Sequence, residues 1–388
     1  MLMKRLALGA IILIVGLIAP VYAADLGGNC CSDLEERIAE LETTTARKGN
    51  RKMSVTVYGQ VHKSIMWHDI DNDALARPII GDGSQQPTLF GFQGDAKISP
   101  EVKAGFRIEF GADENRISGE DIVVRHSNVW VESMTVGRLT LGRGSVATDG
   151  IAEITTANTD VASKMLNLEP FSSQFLGGQV NLPFDGGRRD VIRYDSPVMA
   201  GFMASASWGK GDHVGPFNLN GEGSNVWHVA LRYAGEVGDF RIMAGVGYRD
   251  EDYSAVGPLV GLPQGPSITG SASVKHMTSG VFASAAYGQI KDFALENSNV
   301  DLTGMHVQGG WEKNVFGGGN TTVFGEWAQL KMDVGGGDGT VDMMGFSAVQ
   351  AIDAAALDLY ISWRQYDMTE IGMDDKINTF MGGARIRF

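Results

Sequence analysis

From Ser54 onward, apolar and polar residues alternate with period two. Val55, Val57 and Val61 alternate with Thr56, Tyr58, Gln60 and His62. Val102, Ala104, Phe106, Ile108 and Phe110 alternate with Lys103, Gly105, Arg107 and Glu109. At the end, Phe380, Gly382, Ala384, Ile386 and Phe388 alternate with Met381, Gly383, Arg385 and Arg387. This is the pattern of a strand with one apolar and one polar face. It predicts sixteen strands, near 54–68, 87–98, 101–111, 121–134, 137–143, 188–196, 201–210, 224–236, 239–250, 267–277, 281–292, 302–314, 320–332, 341–353, 357–368 and 376–388.

The connections alternate in length. Tight turns at Ser99-Pro100, Gly137, Pro197 to Gly201 and Val237-Gly238 fall between long polar stretches such as 69–86, 144–187, 211–223 and 251–266. Short turns at one rim and long loops at the other are the layout of a transmembrane barrel. A small dry interior could not accept Lys97, Lys103, Arg107, Glu109, Arg125 and Arg193 without a cost of several kcal/mol each. A barrel of about sixteen strands encloses water, so the charged face points inward and the apolar face meets lipid. The reading is all-β: a 16-stranded antiparallel transmembrane β-barrel over 54–388. Aromatics near strand ends, Trp67, Phe90, Trp208 and Tyr248 at one rim and Tyr194, Phe202, Tyr233 and Phe240 at the other, fit two interfacial girdles.

The N-terminal segments differ. Lys4 and Arg5 precede a short apolar run, and Val21-Tyr22-Ala23 offers a small-residue cleavage site, so 1–23 reads as a secretory signal peptide. Segment 24–53 is expected in the periplasm. Ser32-Asp33-Leu34-Glu35 is a capping-box pattern, and Leu34, Ile38, Leu41 and Thr45 form a narrow seam, predicting a short coiled-coil helix that needs copies of itself as partners. Cys30 and Cys31 lie just before it in an oxidising compartment. The ring closed by adjacent cysteines is strained, which makes this pair a candidate for disulfides between protomers.

Composition narrows the function classes. The 388 residues include 52 Gly, carry a net charge of −14, and reach −16 once Lys4 and Arg5 are removed with the signal. Without a basic face, nucleic-acid binding is not expected. No Gly-x-Ser-x-Gly elbow or His-Glu-x-x-His helix occurs. Gly142-x-Gly144-x-x-Ala147 lacks a βαβ context, and Asp69-x-Asp71-x-Asp73 lacks the Gly and bidentate Glu of a calcium loop. No catalytic residue, cofactor or metal is expected.

The order of several short motifs resembles the general diffusion porins of Gram-negative outer membranes, alphaproteobacterial type. They are the signal peptide, the Cys-Cys lead into the short helix, Val57-Tyr58-Gly59, Gly137-Arg138-Leu139-Thr140-Leu141-Gly142-Arg143, Tyr194-Asp195-Ser196-Pro197 and the terminal Gly383-Ala384-Arg385-Ile386-Arg387-Phe388. The resemblance implies outer-membrane location, an assembly signal at Phe388, a homotrimer among lipid and lipopolysaccharide, and passive diffusion of ions and small hydrophilic solutes. It also implies a third external loop folded into the pore opposite a basic wall. That places Asp149, Glu153, Asp160 and Glu169 of the 144–187 connection opposite Arg107, Arg125, Arg189 and Arg193, with Lys97 and Lys103 in addition. One β-bulge would reverse the parity behind any of these assignments. A solute-specific channel and a mainly structural outer-membrane protein are the alternative functions.

Overall fold

The computed structural model describes residues 53–69, 78–83, 86–113, 121–168, 184, 186–210, 225–251, 266–291, 300–333, 338–369 and 375–388. The signal peptide, the short helix, Cys30, Cys31 and Glu169 lie outside the described residues.

The strands are β1 (Ser54–Asp69), β2 (Ile79–Asp82), β3 (Leu89–Lys97), β4 (Val102–Asp113), β5 (Asp121–Ser133), β6 (Gly137–Ser145), β7 (Arg188–Asp195), β8 (Phe202–Lys210), β9 (Asn225–Val237), β10 (Phe240–Glu251), β11 (Ser267–His276), β12 (Val281–Ile290), β13 (Asp301–Lys313), β14 (Thr321–Asp333), β15 (Asp338–Ile352), β16 (Leu357–Thr369) and β17 (Asp375–Arg387). From β3 onward each pairs antiparallel with its sequence neighbour, and β17 returns to β1. The sheet is therefore closed. Closure satisfies the backbone groups that lipid cannot, and no edge is left along the seam. Phe388 completes it: Gly59 N–H donates to Phe388 O and Phe388 N–H to Gly59 O, both at 3.0 Å.

The sixteen barrel strands coincide with the sixteen predicted ones to within a few residues. The addition is β2, inside the connection expected to be plain loop. Strand β3 begins at Leu89, opposite Gln60, so the rest of β1 has no partner on that side. Four residues of the connection fold back and pair with Lys63–Met66. Asp82 locks them there, accepting from Lys63 Nζ (2.6 Å) and from Thr88 N–H (3.1 Å) and Oγ1 (2.8 Å). A four-residue run shows too little periodicity to be read in sequence.

Parity is as the alternation predicts. Val57, Val61, Phe92, Ile108, Val129, Val131, Leu139 and Leu141 are exposed on the outer face. Gln60, His62, Ser64 and Met66 of β1 are buried on the inner one. The rim aromatics pair across strands: Phe90 with Phe110 and Trp227 with Tyr248 toward the long loops, Phe202 with Tyr233 and Phe240 with His276 toward the short turns. A bulge in β5 shifts register opposite Glu109/Phe110 and leaves Arg125 without a cross-strand partner.

Candidate functional site: the lumen and its inserted loop

Residues 146–168 follow β6 and turn into the barrel. The segment is a chain of tight turns, with N–H to C=O bonds such as Ile151 to Thr148, Ala162 to Thr159 and Asn167 to Lys164. Its apolar side chains need a dry surface, and inward-facing residues of β12 to β17 supply one. Met165, Leu166, Leu168 and Phe184 pack with Ile290, Leu302, Leu330, Val341, Met343, Tyr366, Met368 and Ile377. Ala157, Val161 and Ala162 pack with Met66, Phe282, Phe324, Val349, Tyr360 and Met381. Burial of each Leu- or Met-sized side chain is worth about 1.5–3 kcal/mol, which offsets part of the cost of ordering a long loop. Glycine makes room at one point: a Cβ at Gly288 or Gly304 would fall within 2.3 or 2.8 Å of the Phe184 ring.

Three carboxylates on this seat fix the loop in register. Glu312 accepts from Asn158 N–H (2.6 Å) and from Lys275. Glu326 accepts from Ser163 Oγ and is bridged by Arg364 Nε (2.9 Å) and His306 Nε2 (3.1 Å). Asp358 accepts from Asn158 Nδ2 (3.0 Å) and from Arg385 Nη2 (2.9 Å). Backbone contacts complete the attachment. Leu166 N–H donates to His306 Nδ1 (3.0 Å), Tyr366 Oη donates to Leu168 O (2.7 Å), and Arg232 Nη2 donates to Ala147 O (2.9 Å) and Asp149 O (2.8 Å).

The opposite wall, β3 to β7, carries a chain of charges instead. Arg107 Nε donates to Tyr58 Oη (2.7 Å) and its Nη2 to Glu109 Oε2 (2.5 Å). Arg125 Nε donates to Glu109 Oε1 (2.8 Å). Glu109 is thus clamped between two guanidiniums, and Arg188 Nε reaches the adjacent His126 (3.4 Å). A cavity of about 530 Å³ opens below, toward the short turns, lined by Lys103, Arg107, Trp130, Arg138 and Arg193 among others.

The expected wall residues take different places. Arg107 faces the lumen. Arg125 does so through the bulge: with His126, Asn128, Trp130 and Glu132 pointing inward, strict alternation would have turned it outward. Arg193 binds Asp195 with two nitrogens (Nε 3.0 Å, Nη2 2.8 Å to Oδ1) and the loop stem through Ser145 O and Val146 O (3.0 Å each), so it braces the loop's entry. Arg189, at the start of β7, donates to Arg188 O (3.0 Å). Lys97 and Lys103 are direct cross-strand neighbours near the short-turn rim.

The loop acids differ from expectation. Asp149 and Glu153 act electrostatically on Arg188 and so do lie toward the basic wall. Glu153 is also paired within the loop, to Lys164 (2.5 Å). Asp160 does not oppose that wall. It bridges Arg385 of β17 (3.4 Å), because the loop lies against that side and turns its polar underside into it. The sequence reading placed Glu109 on the charged inner face without giving it a role in the site, and it gave none to Tyr58, Arg138, Arg188, Arg364 and Glu326. Strand parity alone was the available signal for all but Arg188, which sits at a strand start where parity does not yet hold. Among the described residues, no group of three His, Cys, Asp or Glu side chains is arranged to hold a metal ion.

The family model described as Gram-negative porin matches residues 10–385. A search of curated proteins finds no match. Among solved structures, the anion-selective porin from Comamonas acidovorans superposes with a TM-score of 0.62 at 18% identity, over 87% of this chain and all of that one. OmpF of Salmonella typhi, in complex with daunomycin, gives 0.60 at 14% identity, over 86% and 98%. The trimer form of OmpT from Vibrio cholerae gives 0.59 at 15% identity, over 87% and 100%.

Proposed function

This chain belongs to the Gram-negative porin family, outer-membrane β-barrel channels, and from that premise we propose where its passage narrows and what it selects. The constriction lies between the inserted segment 146–168 and the arginines of β4, β5 and β7. Arg107, Arg125 and Arg189 form its wall, Asp149 and Glu153 its loop side, and Arg193 holds the loop stem. Ions and small hydrophilic solutes pass by diffusion through this slot. The single observation that supports the reading is the attachment of the loop to β13, β14 and β16 through Glu312, Glu326 and Asp358, on the side of the barrel away from these arginines. Arginine stays charged at any working pH, so a fixed transverse field orients dipolar solutes there. Single-channel recording tests it: shortening 150–165 in a correctly folded barrel should raise conductance and solute cut-off. Unchanged values would put the narrowest point elsewhere.

The assembly is proposed to be a homotrimer in lipid and lipopolysaccharide, of the alphaproteobacterial type. The family membership and the trimer form of the Vibrio cholerae relative support the trimer; the order of short motifs in the sequence is the ground for the type. In it, Cys30 and Cys31 link protomers at the start of the periplasmic helix. Denaturing gels with and without reductant decide that point, since monomer in both lanes would refute intermolecular bonding.

A further inference from the structure

The cavity below Arg107 is organised around an aromatic–cation stack. Trp130 faces the lumen from β5, and a Cβ at Gly105 would come within 2.3 Å of its ring, so the indole lies flat on the bare backbone of β4. Arg138 covers the other face, its guanidinium carbon 4.2 Å from the ring centroid. Glu132 fixes the guanidinium in plane through Nη2 (2.9 Å). The Arg138 side chain is nonetheless 40% exposed, although its Nε is buried and makes no hydrogen bond among the described residues. A planar cation already stacked and braced loses little freedom when a second flat group lies on it.

Charge beside the stack is unbalanced. Arg193 is committed to Asp195 and Arg107 to Glu109. Lys103 stands directly opposite Lys97 on one side and Glu132 on the other, Glu132 is already bonded to Arg138, and neither lysine makes a hydrogen bond or ion pair among the described residues. The carboxylate of Asp95, held by Ser54 Oγ (3.4 Å), is the acid of this rung that is not paired to a cation. Lys103, with no bonded anion of its own, thus lines the same space of about 530 Å³ as the Trp130–Arg138 stack.

We infer that this cavity is a binding subsite for small aromatic carboxylates, with the ring stacked on Arg138 and the carboxylate on Lys103. The inference rests on the channel reading and adds a solute class to it. A plain carboxylate gains only the lysine charge, screened by water; an uncharged ring gains only the stack. Benzoate gains both.

The test is current through the purified full-length protein in planar bilayers, with benzoate, acetate or benzyl alcohol added to the short-turn side. Conductance in potassium chloride alone is measured first, and its absence would overturn the channel reading rather than the subsite. In a conducting pore, benzoate should reduce the current at concentrations where acetate and benzyl alcohol do not. Arg138→Gln and Lys103→Gln should each raise the half-blocking concentration about five- to ten-fold, the scale of a partly desolvated cation–π contact. Trp130→Leu should act like Arg138→Gln, because it removes the surface that holds the guanidinium. Should that variant fail to give a heat-modifiable folded band, Arg138→Gln carries the comparison, since it leaves the Trp130–Gly105 packing in place. Equal block by acetate and benzoate, or block unchanged in Arg138→Gln, would overturn the subsite.

Discussion

Along β14 the lumen-facing residues are Thr322, Phe324, Glu326, Ala328 and Leu330, all buried; along β4 they include Lys103, Arg107 and Glu109, with the Arg107 side chain 40% exposed. Both sets obey the same inward parity. What differs is the cover. The inserted loop lies on β12 to β17 and converts half of the lumen wall into a protein core, where apolar residues are correct and every charge needs a fixed partner. The β3–β7 wall is not covered by the loop, so charges such as Arg107, though paired, keep an exposed side from which to act on solutes. A lumen-facing position in a barrel is therefore not automatically a pore-lining one.

The comparison breaks most visibly at Glu326. Both it and Arg364 are almost wholly buried, and removing one member of such a pair leaves an unpaired buried charge, costing about 3–5 kcal/mol. Glu326→Gln should lower the temperature at which the folded band converts on gels and add open-channel noise as the loop loosens. Arg107→Ser should do neither, because Arg125 still neutralises Glu109. If the two variants melt alike, the division into a dry and a wet wall is wrong. Leu168→Ala, at 0% exposure, tests the apolar half of the seat, with an expected loss of about 2–5 kcal/mol and the same noise signature.

These residues also mark how far the sequence could be read. Strand positions followed from period two because lipid enforces an apolar outer face on every strand. The inner face carries no such rule. Leu302, Met343 and Ile377 point inward as firmly as Arg107 does, and nothing in the local pattern says that a loop from far along the chain covers them. Asp160 was assigned to the open side for the same reason: its partner Arg385 is 225 residues away. Arg125 was placed inward without the bulge that puts it there. The bulge brings Arg125 onto Glu109, a contact between strands that leaves no trace in alternation.

The wet wall is probed by charge rather than stability. One unit charge about 5 Å from a passing ion in water is worth about 0.8 kcal/mol, roughly a four-fold change in local concentration before salt screening. Arg107→Ser and Arg125→Ser should each move the reversal potential toward cations by an amount within that bound. Asp149→Asn and Glu153→Gln should move it toward anions. Asp160→Asn should have less effect than either, because its charge is already answered by Arg385 on the covered side. An equal shift from Asp160 would mean that the passage runs on both sides of the loop.

The smallest effect is expected from the mouth. The long connections cluster acids at Asp69, Asp71 and Asp73, at Asp250, Glu251 and Asp252, and at Asp374 and Asp375, and the chain without its signal carries −16. These carboxylates enrich cations over a distance set by the Debye length, about 10 Å at 0.1 M and about 3 Å at 1 M. On the expectation that these connections face open solution, they act on approaching ions, where screening is strong at high salt. The wall arginines face the proposed constriction, where fewer counter-ions fit than in open solution. Wild-type channels should therefore show modest cation preference at low salt that fades as salt rises. Replacing Asp374 and Asp375 by Asn should weaken that preference at low salt and leave high-salt selectivity unchanged. Anion preference at low salt would mean instead that Arg107, Arg125 and Arg189 outweigh the mouth at every ionic strength. The contrast that matters for permeation would then be between the two walls of the lumen alone.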